Sequence, residues 1–193
     1  MELEFLEHEE SILFNVWVTC NCNYACDYCY EGRNKTDSYM DIPTADQIID
    51  FMIQITRDRG LDCISINFHG GEPTLNFQII KYIVSNLRKY PSLKMFTSMT
   101  TNCSVYIGEA ARYLDEISVS IDGKKETNDR NRKLADGSGT FDISFRNAAK
   151  YLRTHPNVKV NMVVTAFNAS ELYENIAFLI QNGFKHIMPR RNV

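Results

Sequence analysis

Short β-rich runs alternate with helix-like segments along almost the whole of this 193-residue chain, and that alternation constrains its fold more than any other feature. Residues 12–19 (ILFNVWVT) read as a strand. Residues 44–59 follow Pro43 and carry Ile48, Ile49, Met52, Ile53 and Ile55 at helical spacing. The pattern continues with strand 63–68, helix 77–90, strand 93–99, helix 104–114 and strand 117–121. It ends with helix 141–154, strand 158–166, helix 172–182 and a last strand starting at 185. Six strands and five helices in strict alternation call for parallel strands joined by right-handed crossovers. The class is therefore α/β, either an open doubly wound sheet or a full or partial barrel.

The unusual residues favour a barrel-like curl. In βα-barrels, function sits on the loops after the C-terminal ends of the strands. Cys22, Cys26 and Cys29 follow strand one, and His69-Gly70-Gly71-Glu72-Pro73 follows strand two. Thr100-Thr101-Asn102 follows strand three and Asp122-Gly123 follows strand four. All of them converge on one end of the sheet. The expected architecture is a partial (β/α)6 barrel, open and TIM-like, with parallel strands.

Composition narrows the chemistry. A net charge of −3 gives no basic field for nucleic acid. Residues 1–10 are acidic and lack the basic start and apolar run of a signal peptide, and no stretch has the length of a membrane span. The expectation is a cytoplasmic protein with no membrane or nucleic-acid partner. In a reducing compartment, grouped cysteines are more often metal or redox groups than disulfides. Three of the six cysteines form a C-x3-C-x2-C run on one short loop, where three thiolates can wrap one face of a metal centre. Iron–sulfur cubes are normally held by four cysteines, so three would leave one iron open. Two other readings compete: a thioredoxin-like pair at Cys26 and Cys29, and a zinc site with His69 or Cys20 as fourth ligand. Of the remaining cysteines, Cys63 reads as a small core residue, and Cys103 as a thiol at the active end.

The run from Cys22 to Tyr30, with Tyr28 just before the last cysteine, resembles the signature of the radical S-adenosylmethionine (radical SAM) family. Gly70-Gly71-Glu72-Pro73 is similar to that family's Gly-Gly-Glu-Pro motif. Ser120-Ile121-Asp122-Gly123, followed by Asp129, Arg132 and Gly137-Ser138-Gly139-Thr140-Phe141, resembles a narrower branch. That branch holds the anaerobic sulfatase-maturing enzymes and the peptide maturases with a SPASM-type C-terminal extension. Two departures stand out: Cys103 where a Thr-Asn-Gly motif has glycine, and Asn128 where a His-Asp pair usually begins.

The resemblance implies an enzyme with two cofactors, a [4Fe–4S] cluster and S-adenosylmethionine. Cys22, Cys26 and Cys29 would hold the cluster. Gly70 and Gly71 would let backbone approach the cofactor, Glu72 would accept from its amino group, and Pro73 would fix the turn. Asn102 would lie near the ribose, Ser120 would offer a hydroxyl, and Arg132 would take the carboxylate. The adenine platform would come from residues 163–167, with Tyr28 nearby. Reductive cleavage of S-adenosylmethionine would give a 5′-deoxyadenosyl radical that takes hydrogen from a peptide or protein side chain, as in sulfatase or ribosomal-peptide maturation. An external flavodoxin- or ferredoxin-like reductant would supply the electron. Residues 1–193 read as one core domain without an auxiliary-cluster extension, because no cysteine follows Cys103. A small-molecule substrate, or a non-catalytic iron–sulfur or zinc domain, are the competing readings. The Gly-Gly-Glu turn argues against the second, because a cluster carrier needs no cofactor-binding turn.

Overall fold

The computed structural model describes residues 11–32 and 35–191, so the reading of residues 1–10 lies outside the described residues. Six strands form one sheet in the order of the chain: β1 (Ile12–Trp17), β2 (Cys63–His69), β3 (Lys94–Thr101), β4 (Glu116–Ser120), β5 (Val158–Val164) and β6 (His186–Arg191). Every pairing is parallel. Strands β1 and β6 do not pair with each other, so the sheet curls without closing. This is the open (β/α)6 arrangement expected from the alternation together with the placement of the unusual residues on the loops after the strands.

Strand periodicity explains the two faces. Ile64, Ile66 and Phe68 of β2, Ile117 and Val119 of β4, and Val158, Val160 and Met162 of β5 are buried against the helices. The alternate residues Ser65, Asn67, His69, Ser98, Ser118, Ser120 and Asn161 therefore share the opposite face, and most are only partly buried. An Asn67–Asn15 hydrogen bond of 3.1 Å and a Lys159–Glu116 ion pair of 2.5 Å lie among this polar set.

Five α-helices cover the apolar face: α1 (Ile42–Asp58), α2 (Phe77–Leu87), α3 (Lys125–Asn131), α4 (Phe141–Thr154) and α5 (Leu172–Gln181). Helix α1 starts where Asp41 accepts a hydrogen bond from the Thr44 amide at 2.9 Å, and it buries the stripe Ala45, Ile49, Met52 and Thr56. A cluster of Phe141, Phe145, Phe178 and Phe184 locks α4 to α5 and the loop after it.

Two helical expectations need correction. Residues 104–114 form a 3-10 segment, Gly108–Tyr113, and not an α-helix. Gly108 sits at φ +58 and breaks the helical run, while the β-branched Val105 and Ile107 before it disfavour helix. The fifth α-helix is instead α3, whose sequence KETNDRN has no apolar period to announce it. Its side chains hold it in place: Asn128 Oδ1 accepts from the Asp122 amide at 3.2 Å, and the Thr127 hydroxyl donates to Glu171 at 2.7 Å.

The two-faced sheet makes a direct prediction for urea denaturation. Ile66→Ala, on the helix side, will cost about 2–5 kcal/mol. Ser65→Ala, one residue away on the open face, will change stability by less than about 0.5 kcal/mol. Similar losses from both would contradict the assignment of faces.

Candidate functional site

The strand ends surround a cavity of about 480 Å³, within the range of small-molecule sites. Cys22, Cys26 and Cys29 line it, together with Gly70, Gly71, Glu72, Asn102, Ser120 and Arg132. Pro73 does not line it, and of the adenine-platform residues 163–167 only Val163 does; Pro73 begins the 3-10 turn Pro73–Asn76 that leads into α2.

The cysteine loop is held from two sides. On one side, the Gly71 amide donates to Thr19 O at 2.9 Å and the Glu72 amide donates to Asn21 O at 2.8 Å. The glycines are needed for this contact. Gly70 lies at φ +132, and a Cβ there would stand 2.2 Å from Thr19 O. A Cβ on Gly71 would stand 2.1 Å from Asn21 O. The glycine pair, which also lines the cavity, thus admits the backbone of residues 19–21, which deliver the first cysteine. On the other side, the Ala25 amide donates to Lys133 O at 2.7 Å and the Asp27 amide to Asn131 O at 2.9 Å.

Glu72 is fully buried and saturates much of its capacity within the protein. Its Oε1 accepts from the Thr74 amide (3.1 Å), the Thr74 hydroxyl (2.6 Å) and the Thr101 hydroxyl (2.7 Å). Its Oε2 accepts from the Asn102 amide at 2.7 Å. Burial pushes its acid above the usual carboxylate range, and these donors pull it back. Asn102 lies against the first cysteine: its Nδ2 is 3.8 Å from Cys22 Sγ and 3.0 Å from Asn23 Oδ1. Next to it, Cys103 keeps the left-handed turn of a glycine, at φ +60. Cys103 is completely buried and does not line the cavity, so the reading of it as a thiol at the active end is not met by its position. Burial raises that thiol well above its ordinary value. Cys63 is buried in β2, as expected of a core residue.

Asp122 was not singled out as a site residue, yet it organises the β4 end. Its Oδ1 accepts from Arg132 Nη2 at 3.0 Å and from the Val163 amide at 2.9 Å, and its Oδ2 accepts from the Tyr28 hydroxyl at 2.6 Å. The Arg132 guanidinium also lies 5.3 Å from the Tyr28 ring centroid. One buried carboxylate thus ties the cysteine loop, β5 and Arg132 together. The Ser-Ile-Asp-Gly run could have flagged it. Burial alone would lower the Arg132 value, but Asp122 and then Tyr28 outweigh it and keep the guanidinium charged. Burial pushes the Cys22 and Cys26 thiols up, and the charge of Arg132 pulls Cys26 partly back. Tyr24 and Ser144 are further residues missed: the Tyr24 hydroxyl, 2.8 Å from Ser144 Oγ, anchors the loop to α4. Burial raises that phenol to about 12.

The residues present fit a cluster and a polar cofactor. Three thiols open onto one cavity. Among the described residues, no three His, Cys, Asp or Glu side chains converge as a single metal ion requires. The ligands of a cube bind different irons and need not meet at one point. Two buried polar atoms of cavity-lining residues lack any partner in the protein, Arg132 Nε and Asn161 Oδ1. Such atoms are costly unless a bound group satisfies them.

The glycine contact carries a prediction. Gly70→Ala will displace residues 19–21 and lower the iron bound per folded chain after reconstitution, although every cysteine is intact. Iron analysis alongside circular dichroism checks it; full iron content in a folded variant would contradict it.

Comparisons with known proteins agree with this layout. Residues 17–179 match the Radical SAM superfamily. An uncharacterized protein of Methanocaldococcus jannaschii is 34% identical over 178 residues, covering 88% of this chain and 59% of that protein. A cysteine-type anaerobic sulfatase-maturating enzyme of Clostridium perfringens is 28% identical over 179 residues, covering 86% of this chain and 47% of that enzyme. The solved structure of anSMEcpe with bound AdoMet and the Kp18Cys peptide superposes with a TM-score of 0.85 at 23% identity, over 95% of this chain and 52% of that one, and shows the same fold. This chain thus spans about half the length of these proteins. No helix among the described residues is long and apolar enough to cross a membrane. The superfamily match runs from the end of β1 into α5, so the likeness rests on strands β2 to β5 and the loops that carry the site, and the chain belongs to the radical SAM superfamily.

Proposed function

We propose that residues 1–193 are the core domain of a radical SAM enzyme that modifies a peptide or protein side chain, fed by an external one-electron reductant. The observation that carries the reading is the meeting of Cys22, Cys26 and Cys29 with Glu72, Asn102, Ser120 and Arg132 in one cavity, from four separate strand ends. Peptide as substrate class is supported by the sulfatase-maturating relative and by the peptide in the anSMEcpe structure. A [4Fe–4S] cluster held by Cys22, Cys26 and Cys29 would supply one-electron reductive cleavage of S-adenosylmethionine, and with it radical hydrogen abstraction from the substrate.

The protein's part is to bind and orient. Cys22, Cys26 and Cys29 hold the cluster. Arg132, fixed on one side by Asp122, offers its free Nε to a carboxylate. Oε2 of Glu72 has one protein donor, the Asn102 amide, and so keeps room for an ammonium group. Ser120 and Asn161 offer a hydroxyl and an amide to the rest of the cofactor. The glycine pair and Pro73 fix the turn that sets these groups beside the cysteine loop.

Anaerobic reconstitution with iron and sulfide tests the reading. About four irons per chain and formation of 5′-deoxyadenosine on reduction are expected; a colourless protein holding one zinc would end it. A second expectation concerns Glu72→Gln, which preserves size, removes the charge and can keep the three donors at Oε1 while exchanging the acceptor that faces the Asn102 amide for an NH2 group. It will keep its iron but bind S-adenosylmethionine about 10- to 100-fold more weakly by calorimetry, the range of one charge-assisted hydrogen bond. Unchanged affinity would remove Glu72 from the cofactor site.

A further inference from the structure

The mouth of the cavity has groups that neither the cluster nor the cofactor reading uses. His69 lines the cavity from β2. Its ring lies 5.3 Å from that of Trp17, its neighbour in the β1–β2 register, and its Nδ1 is 3.2 Å from the Tyr30 hydroxyl. Tyr30 lines the cavity and is 68% exposed; Trp17 lies just outside the lining, against His69, and is 43% exposed. Arg190 stands on β6, the unpaired edge of the sheet. The register pairs it with Val163 and pairs Met188 with Asn161; Asn161 and Val163 line the cavity, so Arg190 shares their face. Burial holds the His69 imidazole below its ordinary value, and the charge of Arg190 acts in the same direction, which places the two within electrostatic reach across the open side.

The charges at this mouth are unbalanced. Four cationic residues line the cavity, Lys35, Arg132, Arg190 and Arg191, against the carboxylates Glu31 and Glu72. Arg132 has its counterion in Asp122, Lys35 donates to Tyr24 O, and the remaining acceptor capacity of the buried Glu72 is assigned to the cofactor's ammonium group. Arg190 has no ion-pair partner among the described residues. Glu31 sits beside Tyr30 on the cysteine loop, so it directs an incoming anion away from itself and toward β6. An arginine without a counterion, opposite a half-exposed aromatic platform, suits a ligand with a carboxylate and an apolar flank.

We propose that Arg190, His69, Trp17 and Tyr30 form the substrate end of the cavity and that it takes an acidic residue of a peptide. The side-chain carboxylate meets Arg190, and an adjacent apolar residue packs on the Trp17–Tyr30 rim. This inference rests on the reading of the chain as a peptide-modifying core and names the side-chain chemistry that core selects.

Trp17 is the sole tryptophan of the chain, so its emission reports on this rim directly. The probes are capped pentapeptides of sequence Ala-Leu-Glu-Leu-Ala and its Gln counterpart, titrated anaerobically into the full chain with and without S-adenosylmethionine, and ATP as an anion that is not a peptide. The Glu peptide will change Trp17 emission saturably and at a concentration about tenfold or more below that of the Gln peptide, in the range of a charge-assisted hydrogen bond. Added salt will shrink that preference. Arg190→Gln will abolish the preference and leave S-adenosylmethionine affinity unchanged. Equal binding of the two peptides, an acid preference that survives Arg190→Gln, or a response to ATP alone would overturn the proposal. So would weakened S-adenosylmethionine binding in Arg190→Gln, which would put the arginine in the cofactor site. Failure of the unaltered chain to bind S-adenosylmethionine would strike the functional reading instead, because the acid preference is read without the cofactor.

Discussion

The active end of this protein depends on two backbone segments lying closer than side chains allow. Gly70 and Gly71 bring the end of β2 against Thr19 and Asn21, and two amide–carbonyl bonds close the contact. Everything on the cysteine loop follows from where that contact places residue 21. Glu72 then extends the same junction sideways: its carboxylate joins the β2 loop to Thr101 and Asn102 at the end of β3. Three strand ends are thereby fixed to one another before any cofactor is considered. The sequence pays with a fully buried carboxylate, whose desolvation is offset by four donors.

A second buried carboxylate does similar work on the opposite side. Asp122 receives Tyr28, Arg132 and the Val163 amide, so the residue before Cys29 is tied to β4, α3 and β5 at once. A buried ion pair of this kind is weak evidence for stability, since desolvation of both charges opposes their attraction. Its value here is positional. It keeps a charged guanidinium beside Cys26 with Nε left over, and that leftover donor is what a bound anion can use. The two carboxylates thus differ in role: Glu72 sets the geometry of the loops, and Asp122 sets the electrostatics next to the thiols.

Much of this was legible in the sequence because it rests on periodicity and spacing. Strand and helix alternation predicted all six strands, and the position of the cysteines and glycines after strand ends predicted one functional end. What was not legible depends on contacts between residues far apart in the chain. Helix α3 has no apolar stripe, and Asn128, Thr127 and their distant partners Asp122 and Glu171 hold it. The 3-10 segment at 108–113 needed the conformation of one glycine to be known. The sequence places Asp122 at the functional end but without a role, because its three donors come from residues 28, 132 and 163. Conversely, Cys103 looked chemical by position and proves to be packed, because its backbone turn aims it into the core.

The central claim is that the three-cysteine loop opens a cluster's fourth position toward a cofactor held by the rest of the cavity. Electron paramagnetic resonance of the reduced, reconstituted chain tests it most directly. The account predicts a [4Fe–4S] signal whose shape changes when S-adenosylmethionine is added. A cluster signal indifferent to saturating S-adenosylmethionine would contradict it.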